Sequence, residues 1–259
     1  MSPPTLLRGS FSGKVSGVSC GNNFTLLWTT DGEAYSWGCG RHGVLGHGDE
    51  QDRTSPTLIS KFKGNGEKVT YMNAGFAHCG AVTNEDKVYM FGKGEDRALG
   101  LGSEKTKVVN IPTSVGFLDG KGIVVLSCSV GEKHGHTMFV CRTGSVYSCG
   151  DGYKGKLGLG DQESRSIPTL IPEDNFNKEH IEQVASGGIH STAVSKEGHV
   201  FTWGCGSDGR LGHPDGKGHR YLFRSDIPRL VEDLVKVGQA TSICCSYYHT
   251  ATIVKTVSS

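Results

Sequence analysis

One glycine motif recurs along the chain at nearly even intervals, and any fold must accommodate all of its copies. Gly38-Cys39-Gly40 leads to Leu45-Gly46, Gly92-Lys93-Gly94 to Leu99-Gly100, Gly150-Asp151-Gly152 to Leu157-Gly158, and Gly204-Cys205-Gly206 to Leu211-Gly212. The first glycines stand 54, 58 and 54 residues apart, and each copy reads G-x-G-x-x-x-x-L-G. Fourteen residues before each first glycine stands Phe24, His78, His136 or His190, and His249 repeats that position near the end. A proline opens each unit: Pro4, Pro56, Pro112, Pro168 and Pro228. A fixed period of this length marks stacked supersecondary units that cannot bury their apolar faces alone.

Between these landmarks the apolar period is two, which marks strands. Val200-Phe201-Thr202-Trp203 and Val146-Tyr147-Ser148-Cys149 are β-branched or aromatic at most positions. His190-Ser191-Thr192-Ala193-Val194 runs into a Lys196-Glu197-Gly198 turn, which predicts a hairpin. Each unit therefore reads as a proline strand, a Val/Ile strand, a histidine strand and an aromatic strand. Four-stranded antiparallel sheets repeated radially make a β-propeller. The expectation is an all-β chain with almost no helix, forming one domain over 1–259. Its repeats fall at 4–55, 56–111, 112–167 and 168–227, with an incomplete fifth at 228–259. Composition agrees: 39 glycines in 259 residues is roughly twice ordinary usage, as many short strands joined by tight turns require.

The string V-x-x-W-G-x-G-x-x-G-x-L-G-x-G, preceded by G-x-x-H-[ST]-x-A, resembles the regulator-of-chromosome-condensation repeat. Phe201-Thr202-Trp203-Gly204-Cys205-Gly206-Ser207-Asp208-Gly209-Arg210-Leu211-Gly212 is close to a consensus copy, and the resemblance covers essentially the whole chain. It implies a propeller, usually of about seven blades, whereas this chain holds about five. Five blades could close with one thin blade, the ring could be open, or residues 1–259 could be part of a larger ring.

Several apparent chemical motifs dissolve into the repeat. Gly38-x-Gly40-x-x-Gly43 matches the dinucleotide fingerprint, but so do two other copies, and none is expected to open a helix. Gly9 to Val15 falls one residue short of a phosphate loop and carries Val15 where a magnesium-binding hydroxyl belongs. His134-Gly135-His136 invites a metal reading. Its equivalents recur in four units, so imidazoles tying strands together are the better expectation. Nine cysteines without a C-x-x-C pair read as reduced thiols filling blade cores. No cofactor, metal site or covalent catalysis is expected. No stretch approaches the length of a membrane span and no signal peptide is read, so an intracellular chain, cytoplasmic or nuclear, is expected.

Function is sought where the repeat is irregular. From the L-G glycine to the next proline the counts are 10, 12, 10 and 16 residues. The longest connection, His213 to Arg224, is the candidate partner-binding excursion, with Arg220, Tyr221, Phe223 and Arg224 as anchor types. A second candidate surface joins variable positions of the glycine loops, including Arg41, Arg97, Lys154 and Arg210. The balance of 27 basic and 26 acidic residues gives no strong nucleic-acid signal. A protein partner follows as the expectation, with the chain acting as a scaffold. The family resemblance implies an alternative, guanine-nucleotide exchange on a Ran-like small GTPase. An ultraviolet receptor, as in plants, would need clustered tryptophans, and the chain has only Trp28, Trp37 and Trp203.

Overall fold

In the computed structural model, residues 6, 11–64, 66–103, 106–214 and 223–256 are described. They contain eighteen strands in five antiparallel sheets, plus one α-helical turn, Glu232–Val235, and short 3₁₀ turns. The first sheet orders β1 (Val15–Cys20), β2 (Phe24–Thr29), β3 (Ala34–Gly38) and β4 (Arg53–Leu58). The second orders β5 (Val69–Ala74), β6 (His78–Thr83), β7 (Val88–Lys93) and β8 (Val108–Ser114). The third holds β9 (Ile123–Cys128), β10 (His136–Cys141), β11 (Val146–Gly150) and β12 (Arg165–Leu170). The fourth holds β13 (Ile181–Ser186), β14 (His190–Ser195), β15 (Val200–Cys205) and β16 (Arg224–Leu230). The fifth pairs β17 (Gly238–Cys245) with β18 (Thr250–Thr256).

Four complete sheets and a partial fifth agree with the propeller reading, but the strands are shared out differently from the repeat. Pro56, Pro112, Pro168 and Pro228 lie in β4, β8, β12 and β16, where they close a sheet instead of opening one. Pro4 lies outside the described residues. Proline offers no N–H to a ladder, so its strand fits either edge of a sheet. Pairing with the preceding aromatic strand, β3, β7, β11 or β15, makes it the last. The sheets thus span 15–58, 69–114, 123–170 and 181–230, offset by one strand from the sequence units.

The cores lie between sheets. Leu26, Leu45, Met72 and Phe91 share the first, Met90, Leu99, Phe139 and Cys149 the second, and Met138, Phe176, Phe201 and Trp203 the third. Among the described residues, Val194, Val200, Val231 and Ala240 are buried together in the fourth, a smaller set than in the other three. The first strands of successive sheets are stitched directly. The Ala74 N–H donates to Ser19 Oγ (3.0 Å), the Cys128 N–H to Asn73 Oδ1 (2.8 Å) and the Ser186 N–H to Ser127 Oγ (2.9 Å). At the two ends Val18 is 53% and Ile253 67% exposed, so the described sheets form an arc with open end faces. Cys20 and Cys244 lie on those end sheets and are exposed, against the expectation of buried thiols; Cys79, Cys128, Cys141, Cys149 and Cys205 are buried.

Candidate functional site: the loop face of the arc

The repeat histidines are structural, and their chemistry can be read from their partners. His78 Nε2 meets Thr137 Oγ1 at 2.9 Å, His136 Nε2 meets Ser191 Oγ at 2.9 Å, and His190 Nε2 meets Thr250 Oγ1 at 3.1 Å. Each hydroxyl donates its own proton to a carbonyl, that of Ala98, Lys156 or Arg210 respectively. The hydroxyl must therefore accept from the ring, which assigns a neutral imidazole protonated on Nε2. Burial lowers the pKa of His78 and of His190 to about 4, the latter with help from Arg210. His136 is lowered further in the same sense, by burial and then by Lys156. Each histidine thus bolts one blade to the glycine loop of its own interface with the next. In the first sheet Phe24 fills this position with a buried ring, and Cys79 Sγ donates to Val44 O at 3.4 Å in place of the hydroxyl.

Because β2 begins opposite the end of β3, the loops joining first to second and third to fourth strands emerge on one face of the arc. The four glycine loops share this face and bury Leu45, Leu99, Leu157 and Leu211 to 2% exposure or less. The position after the loop's first variable residue is left-handed in three of them: His42, Lys154 and Asp208 have φ of 62–63°. The next position is left-handed glycine at Gly43, Gly155 and Gly209, but Arg97 in the second loop, at φ 62°. The four basic candidates Arg41, Arg97, Lys154 and Arg210 therefore occupy four different places in the turn. Arg41 is exposed; Arg97 and Lys154 are half-buried.

Arg210 departs from the expectation of a surface charge. Its side chain is 2% exposed, with Nε donating to Ser207 O (2.8 Å) and the guanidinium carbon 5.2 Å from the Tyr248 ring. The reason is register: this place precedes the buried leucine and points between blades. Lys156 holds the same place in the third loop, fully buried, and donates to Asp151 and to Tyr153 O (3.3 Å). Burial lowers the Lys156 pKa to about 8 against the pull of Asp151. Burial pushes Asp151 upward, yet the Lys156 ammonium and its hydrogen bond, together with hydrogen bonds from the Tyr153 N–H and His134, outweigh it and leave the carboxylate below its usual range.

The His213–Arg224 connection is anchored at both described ends. His213 is 8% exposed and its Nε2 lies 2.9 Å from Thr202 Oγ1, as His47 Nε2 lies 3.0 Å from Ser36 Oγ in the first sheet. Phe223 packs its ring against Gly206 and lies edge-on to His213 at 6.3 Å, so it is half-buried, not projecting. Arg224 starts β16 and pairs with Asp226 at 3.1 Å. Arg220 and Tyr221 lie outside the described residues.

Next to the first two loops the face holds a hollow of ≈ 430 Å³, lined among others by Asn22, Arg41, His42, Lys93, Glu95 and Glu132. Both signs of charge meet there, and Lys93 Nζ lies 3.5 Å from Glu95 and 3.6 Å from Asp96. In the third sheet His134 stacks on Tyr153 at 4.8 Å and lies 3.3 Å from Asp151. The loops between first and second strands supply Glu132 and His134, of which the sequence offered only His134, and that only as part of a metal reading. Their signal in the sequence is the 58-residue spacing of the third unit against 54 for the others, which the structure places in the seven-residue loop 129–135 where the other four-stranded sheets have three. Among the described residues no three His, Cys, Asp or Glu side chains could hold a metal ion together, and no helix is long and apolar enough to cross a membrane.

The model of the RCC1-like domain matches residues 1–254. The chain belongs to the RCC1-like domain family. Within that family it is 36% identical over 236 residues to the human E3 ubiquitin-protein ligase HERC2, covering 89% of this chain and 5% of HERC2. It is 33% identical to the Arabidopsis thaliana ultraviolet-B receptor UVR8, over 83% of this chain and 47% of the receptor. The crystal structure of Prp20p from Saccharomyces cerevisiae superposes with a TM-score of 0.79 at 20% identity, over 97% of this chain and 58% of Prp20p, which establishes likeness of fold. This RCC1-like chain thus spans well under two thirds of each of them. Its tryptophans are dispersed: Trp28 tilts on Tyr71 at 5.8 Å, while Trp203 is buried beside Phe176 in the third inter-sheet core.

Proposed function

We propose that the chain is a protein-interaction scaffold that grips a protein partner with the loop face of its arc. The observation that carries this reading is the mixed-charge hollow beside Arg41, Lys93 and Glu132, on a face assembled from loops of successive blades. Interspersed charge of both signs on a rigid rim suits a polar protein surface better than a phosphate backbone, which needs a basic excess. β15 ends and β16 begins on this same face, so both described ends of the long connection, His213 and Phe223, stand at its edge. Guanine-nucleotide exchange on a Ran-like GTPase is the second reading. It draws on the likeness of fold to Prp20p, which is described as binding Gsp1p and histones.

The test uses immobilised full chain against native lysate, with Arg41→Glu/Glu132→Lys and a deletion of 215–222 beside wild type. Loss of a captured protein with an unchanged melting temperature supports the scaffold. An identical captured set for all three removes this face from consideration. Nucleotide release from a purified Ran-like GTPase, measured with and without the chain, decides the second reading.

A further inference from the structure

The seven-residue loop 129–135 of the third sheet is fixed at both ends by backbone. The Ser129 N–H donates to His136 O (3.0 Å), the Phe76 N–H to Ser129 O (2.9 Å) and the Gly135 N–H to Asp96 Oδ2 (3.1 Å). Gly131 rests on the next sheet, where a Cβ added to it would come within 2.9 Å of Gly188 Cα. Between these pins stand Glu132 and Lys133, both exposed and both lining the hollow beside Arg41.

His134 is the side chain that ties this stretch down. Its Nδ1 lies 3.3 Å from Asp151 Oδ2, and its ring stacks on Tyr153 at 4.8 Å with 23° between the planes. Its backbone is left-handed at φ 61°, a conformation that costs a residue with a Cβ and that these contacts help to hold. On the far side of the carboxylate, Asp151 Oδ1 accepts from the Tyr153 N–H (2.9 Å) and from the buried Lys156 ammonium. The charged groups on the elements packed around His134 are Asp151, Lys154 and Lys156 on the third glycine loop and Asp96 and Arg97 on the second. Lys93 stands 3.6 Å from Asp96, and Lys154 Nζ lies 5.6 Å from the centre of the Tyr153 ring. The loop 187–189 of the fourth sheet adds no charge.

The two contacts of His134 respond to a proton in the same sense. A neutral ring can donate to Asp151 only as the tautomer protonated on Nδ1, whereas an imidazolium donates from that nitrogen in every case. The bond is then charge-assisted, and a cationic ring is also drawn to the face of tyrosine. We propose that His134 and Asp151 form a proton-controlled latch that sets how the loop 129–135 presents Glu132 and Lys133 on the loop face. The protonated ring holds residues 132–134 against the third glycine loop, and the neutral ring lets them loosen. Lys156 moderates the latch, because its ammonium draws on the same carboxylate. The consequence for binding rests on the scaffold reading: a partner in the hollow is gripped more tightly in mildly acid solution, where its contacts are already in place.

The test is NMR on the full chain at pH 6 and pH 8, which bracket the range where imidazoles titrate. The cross-relaxation between the His134 and Tyr153 rings should fall about two- to fivefold from the lower pH to the higher, as suits a half-exposed ion pair. Amide order parameters of residues 132–134 should fall with it. Loops 75–77 and 187–189 serve as internal references, since burial lowers His78 and His190 to about 4 and keeps them neutral throughout. His134→Gln, which cannot gain a proton, should remove the difference between the two conditions. Lys156→Met should widen it, and Tyr153→Leu, a second variant should the first melt early, should narrow it. Order parameters equal at both pH values, or a difference that survives in His134→Gln, overturn the latch. Capture from lysate at the same two pH values separates it from the scaffold reading. A responding loop with nothing captured upholds the latch and sinks the scaffold, while equal capture beside a responding loop overturns the latch's control of the hollow.

Discussion

At the scale of single residues, the buried histidines make stability depend on pH with a definite sign. Unfolded histidines titrate near 6.5, while His78 and His190 are lowered to about 4 in the fold. Between those values the unfolded chain binds more protons, so stability rises with pH across the window and is lost as pH falls through it. Each buried ring should contribute on the order of 3 kcal/mol to that loss. Urea midpoints measured from pH 7 to 4 should fall steeply, and His190→Gln, which keeps a donor near Nε2, should flatten the slope. The Lys156–Asp151 pair behaves differently. Asp151→Asn leaves a buried ammonium without its counter-charge and should cost about 3 kcal/mol at neutral pH. Lys156→Met removes the charge and its desolvation together, so thermal melting should find it neutral or stabilising. The histidine role was legible in the sequence because four histidines at one register argue for packing; of these only His249, on the end sheet, is exposed, where its Nδ1 meets Ser246 Oγ at 3.0 Å. The lysine was not, since nothing local distinguishes Lys156, which points between blades, from Lys154 two residues earlier.

At the scale of elements, the glycine loop is the joint of the architecture. Leu157 is 1% exposed at the centre of that joint, and Leu157→Ala should cost about 2–5 kcal/mol in chemical denaturation. Two glycines separate conformation from packing. Gly155 and Gly209 share a left-handed φ of 72° and 77°, but a Cβ on the first would lie 2.6 Å from Asp226 Cα and one on the second meets nothing within 4 Å. Gly209→Ala should therefore cost only the backbone term, about 1–2 kcal/mol, and Gly155→Ala clearly more. Comparable midpoints for the two variants would contradict this difference in packing. Strand order was the point at which periodicity misled. A proline is a visible start in a sequence, yet its missing N–H suits either edge of a sheet, and only the pairing with the preceding aromatic strand makes its strand the last. The repeat and the blade are consequently out of step by one strand.

At the scale of the whole molecule, each sheet packs on its immediate neighbours, so stability should vary along the arc as in other repeat assemblies. The second and third sheets are covered on both faces. The fifth shares a core of only four buried residues with the fourth, and Ile253 faces outward at 67% exposure. Native-state hydrogen exchange should therefore find amides of β10 and β14 the slowest and those of β18 the fastest among the strands. Uniform protection in all five sheets would mean that the arc unfolds as a single unit.

The sequence alone determined the all-β propeller, its five-fold repetition, the buried leucines and the structural histidines. Each of these rests on a period, and a period survives projection onto one dimension. Only the tertiary structure decided that Arg210 is buried, that Phe223 lies down on Gly206, and that charges from separate blades share the hollow beside Arg41. Those facts depend on which way a side chain leaves its turn and on what the next blade places against it.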